Sequence, residues 1–210
     1  MAIVVALLAV VLIADRVAVI YAGDRVARQI QDRGFPAKPQ VTIVGFPFLT
    51  QVAAGRLNKV VIRAAGKKLG PVQVKRLDLT LHGIRANSSG NGRTAARLSG
   101  TALVGFAGLA GMTATPGFTL SADGPGRVTI TGGLGQVTGT ATARVTRAGP
   151  GGIRIAVISA GGISVAVLGS LRDITVPLPA LPLGMTIQGV TVTGQGVLVH
   201  IAGQNVSFGS

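Results

Sequence analysis

Cysteine, glutamate and tryptophan are all missing from this chain of 210 residues. The first absence excludes a disulfide framework and a zinc–thiolate site. With no glutamate, two histidines and six acidic residues in all, a metal cage would have to be gathered from scattered aspartates; neither a metal nor another cofactor is expected. Aromatics are scarce too, at six phenylalanines and one tyrosine. Proteins that hold single-stranded nucleic acid stack its bases on aromatic platforms, and no helix-turn-helix, zinc-finger or RNA-recognition signature is present. Nucleic acid is therefore not the expected partner, although twenty Lys and Arg give a net charge of +14. With 48% of its residues hydrophobic, the chain joins apolar and basic character. That combination favours a membrane and an anionic phospholipid or lipoglycan as partners.

What the chain does have begins with an apolar run. Ala2 to Ala14, "AIVVALLAVVLIA", covers about 20 Å at 1.5 Å per residue, short of a bilayer core roughly 30 Å thick. Asp15 to Arg33 follows with Val19, Val26 and Ile30 near one face and Asp24, Arg25, Arg28 and Arg33 mostly elsewhere, the spacing of an amphipathic helix. Gly34 offers a stop, and Pro36 and Pro39 prevent continuation. Residues 1–33 thus read as a hydrophobic membrane-targeting segment, a signal anchor continuing as amphipathic helix, and 34–210 as a β-rich lipid-binding domain. The plainer reading of the run is a buried helix of a cytosolic protein, but a helix apolar on every side has few places to go except a membrane. Arg16, Arg25, Arg28 and Arg33 come after it, which by the positive-inside rule would keep the domain in the cytoplasm. We expect instead a basic stretch preceding Met1 and a domain on the extracytoplasmic side of the plasma membrane.

From Val41 onward the period changes to two. "VQVKRLDLTLHGI" sets Val72 and Val74 on one face, then Leu77, Leu79 and Leu81, with a register slip at Lys75 and Arg76 that reads as a β-bulge. "RVTITG", "QVTGTATARVT", "IRIAVIS", "GVTVTG" and "VLVHI" alternate in the same way, as antiparallel strands with one apolar and one wetter side. "NSSGNG", "ADGPG" and "RAGPGG" read as turns between them. "VPLPALPLG" reads as an extended crossover or edge. "GGLGQVTG" superficially resembles a dinucleotide loop, but strand-like residues follow it, so it reads as a hairpin. The expected fold is α+β: a long N-terminal helix, then a strongly curved, mostly antiparallel sheet wrapping an apolar interior.

A hydrolytic site has little to stand on. The Gly-x-Ser-x-Gly elbow is absent, and its nearest approach, "GISVA" around Ser164, lacks the second glycine and reads as strand. His82 and His200 each alternate with apolar neighbours in a strand. Asp78 shares a face with His82, but four residues of strand put them roughly 13 Å apart. No catalytic residue is assigned.

Two other groups stand out. "GFPFLTQ", Gly45 to Gln51, places Phe46, Phe48 and Leu49 around Pro47, which cannot sit inside a central strand. These side chains, with Phe106, Leu109 and Met112 of "GFAGLAGM", are candidates for a lipid-facing lip at a pocket mouth; the alternative is that they plug the core. Lys67, Lys68, Lys75 and Arg76 lie around "GKKLG", where a basic-tipped hairpin would hold phosphate head groups, or would protect a sheet edge from aggregation.

"GFPFLTQ" followed by "GRL", then "RLDLTLHGI", "GTALVGFAGL" and the closing "PLPLGMTIQGVTVTGQGVLVHIAGQNVSF" resemble the LmeA-like family of actinobacterial cell-envelope phospholipid-binding proteins, in order from about Asp15 to Phe208. The resemblance implies export, a lipid ligand, and a likeness to tubular lipid-binding folds. For one member it implies a phospholipase activity tied to lipomannan maintenance, and it carries over no catalytic residues. The leading expectation is an envelope protein that binds or handles phospholipid in an apolar acyl-chain cavity. A phospholipase-type hydrolase and a structural envelope protein without a ligand are the alternatives.

Overall fold

The structure, a computed structural model, describes residues 2–32, 36–69, 72–86, 92–111, 118–134, 137–161, 172–177 and 184–208. The apolar run and the amphipathic stretch form one uninterrupted helix, α1 (Ala2–Gln31). Its first half is exposed on all sides, and Asp15 is its first buried residue. Beyond that point a narrow stripe that includes Gly23 and Ala27 is buried. The stripe lies against β1 (Gln40–Val44), and a side chain at Gly23 would put its Cβ 2.9 Å from the Val41 carbonyl oxygen. The missing side chain is what lets helix and strand approach.

The strands divide between two antiparallel sheets, neither closed into a barrel. The first contains β1, β2 (Arg56–Leu69), β3 (Val72–Ala86), β4 (Arg93–Val104), β10 (Thr186–Thr193) and β11 (Gly196–Phe208), in the order β1-β2-β3-β4-β11-β10. The second is the meander β5 (Thr119–Ala122), β6 (Arg127–Leu134), β7 (Val137–Ala148), β8 (Gly152–Ala160) and β9 (Asp173–Pro177). The α+β class and the order of helix then antiparallel strands are as expected. By contacts the chain forms two compact units. One comprises residues 1–65, 78–100 and 203–210, and the other 66–77 and 101–202.

Alternation produces burial where it was expected. On β8, Ile153, Ile155 and Val157 turn inward and Arg154 outward, joined by Val128, Val145 and Val176 from neighbouring strands. Each buried branched side chain is worth about 1.5–3 kcal/mol. The core is built of Val, Ile, Leu and Ala, with Phe48 the aromatic among its described residues. "GGLGQVTG" is the β6–β7 hairpin, with Leu134 opposite Val137. In "ADGPG", Gly124 and Gly126 adopt φ of 83° and 68°, and the Asp123 amide donates to the Arg127 carbonyl to close the turn. Pro177 ends β9 at the sheet edge, where a missing amide costs no ladder bond.

Two short helices interrupt the strands, α2 (Phe48–Ala53) and α3 (Phe106–Ala110), and two-residue alternation carries no sign of either. The "GKKLG" segment also differs in detail. β2 runs through Lys67 and Lys68 to Leu69, so most of that stretch is strand, and β3 begins at Val72. The side chains of Lys67 and Lys68, Met112, Ser164 and the "NSSGN" residues 87–91 lie outside the described residues.

Candidate functional site

"GFPFLTQ" folds into an elbow between β1 and α2. Gly45 has φ 135°, and a Cβ there would lie 2.4 Å from the Gln51 amide nitrogen, so the position takes only glycine. The Phe46–Pro47 peptide is cis, and Pro47 occupies the N-cap position of α2. Proline has no side-chain oxygen with which to cap a helix. The cap comes instead from α1: Asp15 Oδ1 accepts the Leu49 amide proton at 2.8 Å, across 34 residues of sequence. Asp15 is 2% exposed, and its Oδ2 has no hydrogen-bond partner. Gln51, also buried, closes the other side. Its Oε1 accepts the Asn58 amide at 2.9 Å, and its Nε2 donates to the Pro47 carbonyl at 3.3 Å. The elbow is thus held from α1, from β2 and from within.

Those restraints send the apolar side chains in different directions. Phe48 is 6% exposed and belongs to the core, whereas Phe46 is 54% and Leu49 43% exposed. Val44 and Val52 are exposed beside them. The Arg16 guanidinium lies 5.1 Å from the centroid of the Phe46 ring, a cation–π distance. Asp15, Arg16 and Val52 were not among the expected site residues. The only local sign of Asp15 was an acid placed directly after the apolar run.

The other expected residues lie in the second unit and are described by themselves. Gly105 precedes α3, Leu109 is 1% exposed, and Phe106 is half-buried. Lys75 is exposed, and its ammonium donates to the Gln195 carbonyl at 3.1 Å. Its side chain crosses Gly105 so closely that a Cβ there would lie 2.6 Å from Lys75 Cε. Gly196 (φ 147°) packs on the same segment, where a Cβ would meet the Val104 carbonyl oxygen at 2.1 Å. Lys75 therefore ties the β10–β11 turn to the start of α3, and Arg76 stands exposed next to it.

Several titratable groups elsewhere are held in structural pairs. His200 Nε2 shares a 3.2 Å hydrogen bond with Thr191 Oγ1 on the adjacent strand, and Asp78 faces Arg63 at 3.6 Å. Arg154 Nε donates to Asp173 at 2.8 and 2.9 Å, joining β8 to the edge strand β9. That hydrogen bond, with the guanidinium charge behind it, holds the Asp173 carboxyl below its ordinary value. Among the described residues there is no group of three His, Asp, Glu or Cys that could hold a metal ion.

The fold and these surfaces define an α+β protein of two open antiparallel sheets, led by a helix long and apolar enough to cross a membrane. Comparison with family models then places it: the chain belongs to the LmeA-like phospholipid-binding family, whose model matches residues 13–202. Membership supports a lipid-binding role, and α1 is compatible with a membrane anchor or a signal sequence. Comparison with the curated proteins found no match, and comparison with the solved structures found none.

Proposed function

We propose that this protein binds anionic phospholipid or lipoglycan in the cell envelope, held at the plasma membrane by α1 with residues 34–210 on the extracytoplasmic side. The family match over residues 13–202 carries this reading. The lipid's acyl chains lie in an apolar interior lined by Val, Ile and Leu. Phe46 and Leu49 meet the lipid at exposed positions with Phe48 packed beneath them; Phe106, Leu109 and Met112, of the second unit, are separately proposed acyl-chain contacts. Lys67, Lys68, Lys75 and Arg76 attract the phosphate, each basic group near an anionic surface contributing about 1 kcal/mol.

The test is mass spectrometry of lipid retained by the full chain after purification in detergent. Near-stoichiometric anionic phospholipid or lipoglycan, enriched over the bulk membrane, is the expected result. Lipid in bulk proportions, or none, overturns the reading. Lysophospholipid and free fatty acid accumulating on incubation with phospholipid would mark hydrolysis instead of binding alone.

A further inference from the structure

The exposed apolar residues are unevenly placed. Beyond α1, the described residues include five exposed large hydrophobics: Val44, Phe46, Leu49, Val52 and Ile158. Four of the five fall between positions 44 and 52. The Asp15–Leu49 hydrogen bond sets their level, because it fixes the first turn of α2 beside residue 15 of α1.

That level lies well inside the apolar length of the helix. Exposed hydrophobics on α1 continue past Asp15 through Val17 and Ile20 to Tyr21. From Ala2 to Tyr21, at 1.5 Å per residue, the helix covers about 30 Å, the thickness of a bilayer's hydrocarbon core. One turn further on the surface changes character. Asp24 pairs with Arg28 at 2.5 Å and with Lys38, which enters from the segment preceding β1. The change from apolar to ionic surface thus falls between Tyr21 and Asp24, and tyrosine is a residue enriched at membrane–water boundaries. Asp15 lies six residues before Tyr21, about 9 Å deeper along the axis. Charged groups at that depth have to be screened or reach outward. Asp15 is buried against α2, and Arg16 lies over the Phe46 ring, with a long side chain able to extend toward phosphates.

We propose that α2 enters the same bilayer leaflet as α1, with Phe46, Leu49 and Val52 packed among phospholipid acyl chains and the Asp15 carboxylate sheltered between the two helices. The partner is the leaflet itself, contacted by surface continuous with the exposed apolar face of α1. The elbow is then a second membrane contact, which fixes the rotation and tilt of the first unit on the bilayer. This proposal rests on α1 being membrane-embedded.

The absence of cysteine makes the test direct, since a single introduced thiol labels one place. Leu8→Cys, Ala37→Cys, Leu49→Cys and Val52→Cys, all at exposed positions, are each made in the full chain and labelled with a fluorophore. Each is reconstituted into phosphatidylethanolamine–phosphatidylglycerol vesicles containing lipids spin-labelled on the acyl chain. Quenching at positions 8, 49 and 52 severalfold stronger than at 37 is expected. Quenching at 8 with positions 49 and 52 as weak as 37 overturns the proposal and leaves α1 as an anchor. No quenching at 8 overturns both, and in that case a signal at 49 and 52 reports lipid bound by the domain.

Discussion

Truncating the two phenylalanines that flank Pro47 should give opposite results, although they are two residues apart. Phe48 is buried, and Phe48→Ala removes a ring from a core with no other described aromatic to refill the space. Such truncations cost about 3–5 kcal/mol. For a chain of 150–250 residues, 1 kcal/mol moves Tm by about 2–4 °C, so the melting temperature should fall by roughly 6–20 °C. Phe46 is more than half exposed, and its described contact is the Arg16 guanidinium. Phe46→Ala should therefore cost about 1 kcal/mol or less, a shift of about 2–4 °C at most. Lipid engagement should reverse the order: Phe46→Ala lowers the phosphatidylglycerol retained per chain after purification, while Phe48→Ala, assayed below its own Tm, keeps it. Both quantities can be read from one preparation, by circular dichroism in mild detergent and by mass spectrometry of the retained lipid. Equal losses of Tm would refute the division between an outward and an inward ring. Unchanged lipid retention by Phe46→Ala would remove that residue from the lipid-facing surface.

Four other outcomes follow from the same geometry. Gly23→Leu should detach α1 from β1, since even a Cβ meets the Val41 carbonyl oxygen at 2.9 Å; amide exchange in β1 should rise while that in β7 and β8 stays slow. Replacing Lys67 and Lys68 by glutamate should weaken association with anionic vesicles at low salt and make little difference in high salt, where screening has already removed the attraction; equal binding at low salt would assign them to edge protection. The depressed Asp173 carboxyl makes its pairing with Arg154 fully effective above the ordinary carboxylate value of 3.8 and progressively lost as pH falls through the depressed value. Asp173→Asn should flatten that part of the acid limb of β9 protection in hydrogen exchange, and an unchanged limb would show the pair to be inert. A reporter active only in the cytoplasm, fused after Ser210, should stay silent, and its activity would defeat the extracytoplasmic placement.

The strands were legible because a half-buried sheet imposes period two on its residues, and "IRIAVIS" or "RVTITG" needs no distant partner to show it. The continuity of α1 was legible for the parallel reason, a periodic stripe following the apolar run without a stop. The elbow was legible only in part. Pro47 announced a break, but not a helix start, because the cap for α2 is supplied by Asp15 from 34 positions earlier. A capping signal spread over that distance leaves no local pattern. Nor does alternation distinguish Phe46 from Phe48: in an extended segment both would share a face, and it is the turn into α2 that points them apart. Lys75 likewise looked like a free surface cation, and its bond to the Gln195 carbonyl spans 120 residues of sequence.

The place of β11 in the first sheet bears on how the protein is made. β11 lies between β4 and β10, so it fills an interior position although it is synthesised after every other described strand. Thr94 on β4 meets Ser207 on β11 at 3.3 Å across 113 residues of sequence. Until Gly196–Phe208 has been translated, β4 ends in an unpaired edge and β10 has no strand to join. Pairings this distant form slowly, and an open edge is a template for aggregation or a target for proteolysis. A chain cut before Gly196 would accordingly be exposed to aggregation and proteolysis at that edge. Completion of the first sheet therefore waits on Gly196–Phe208.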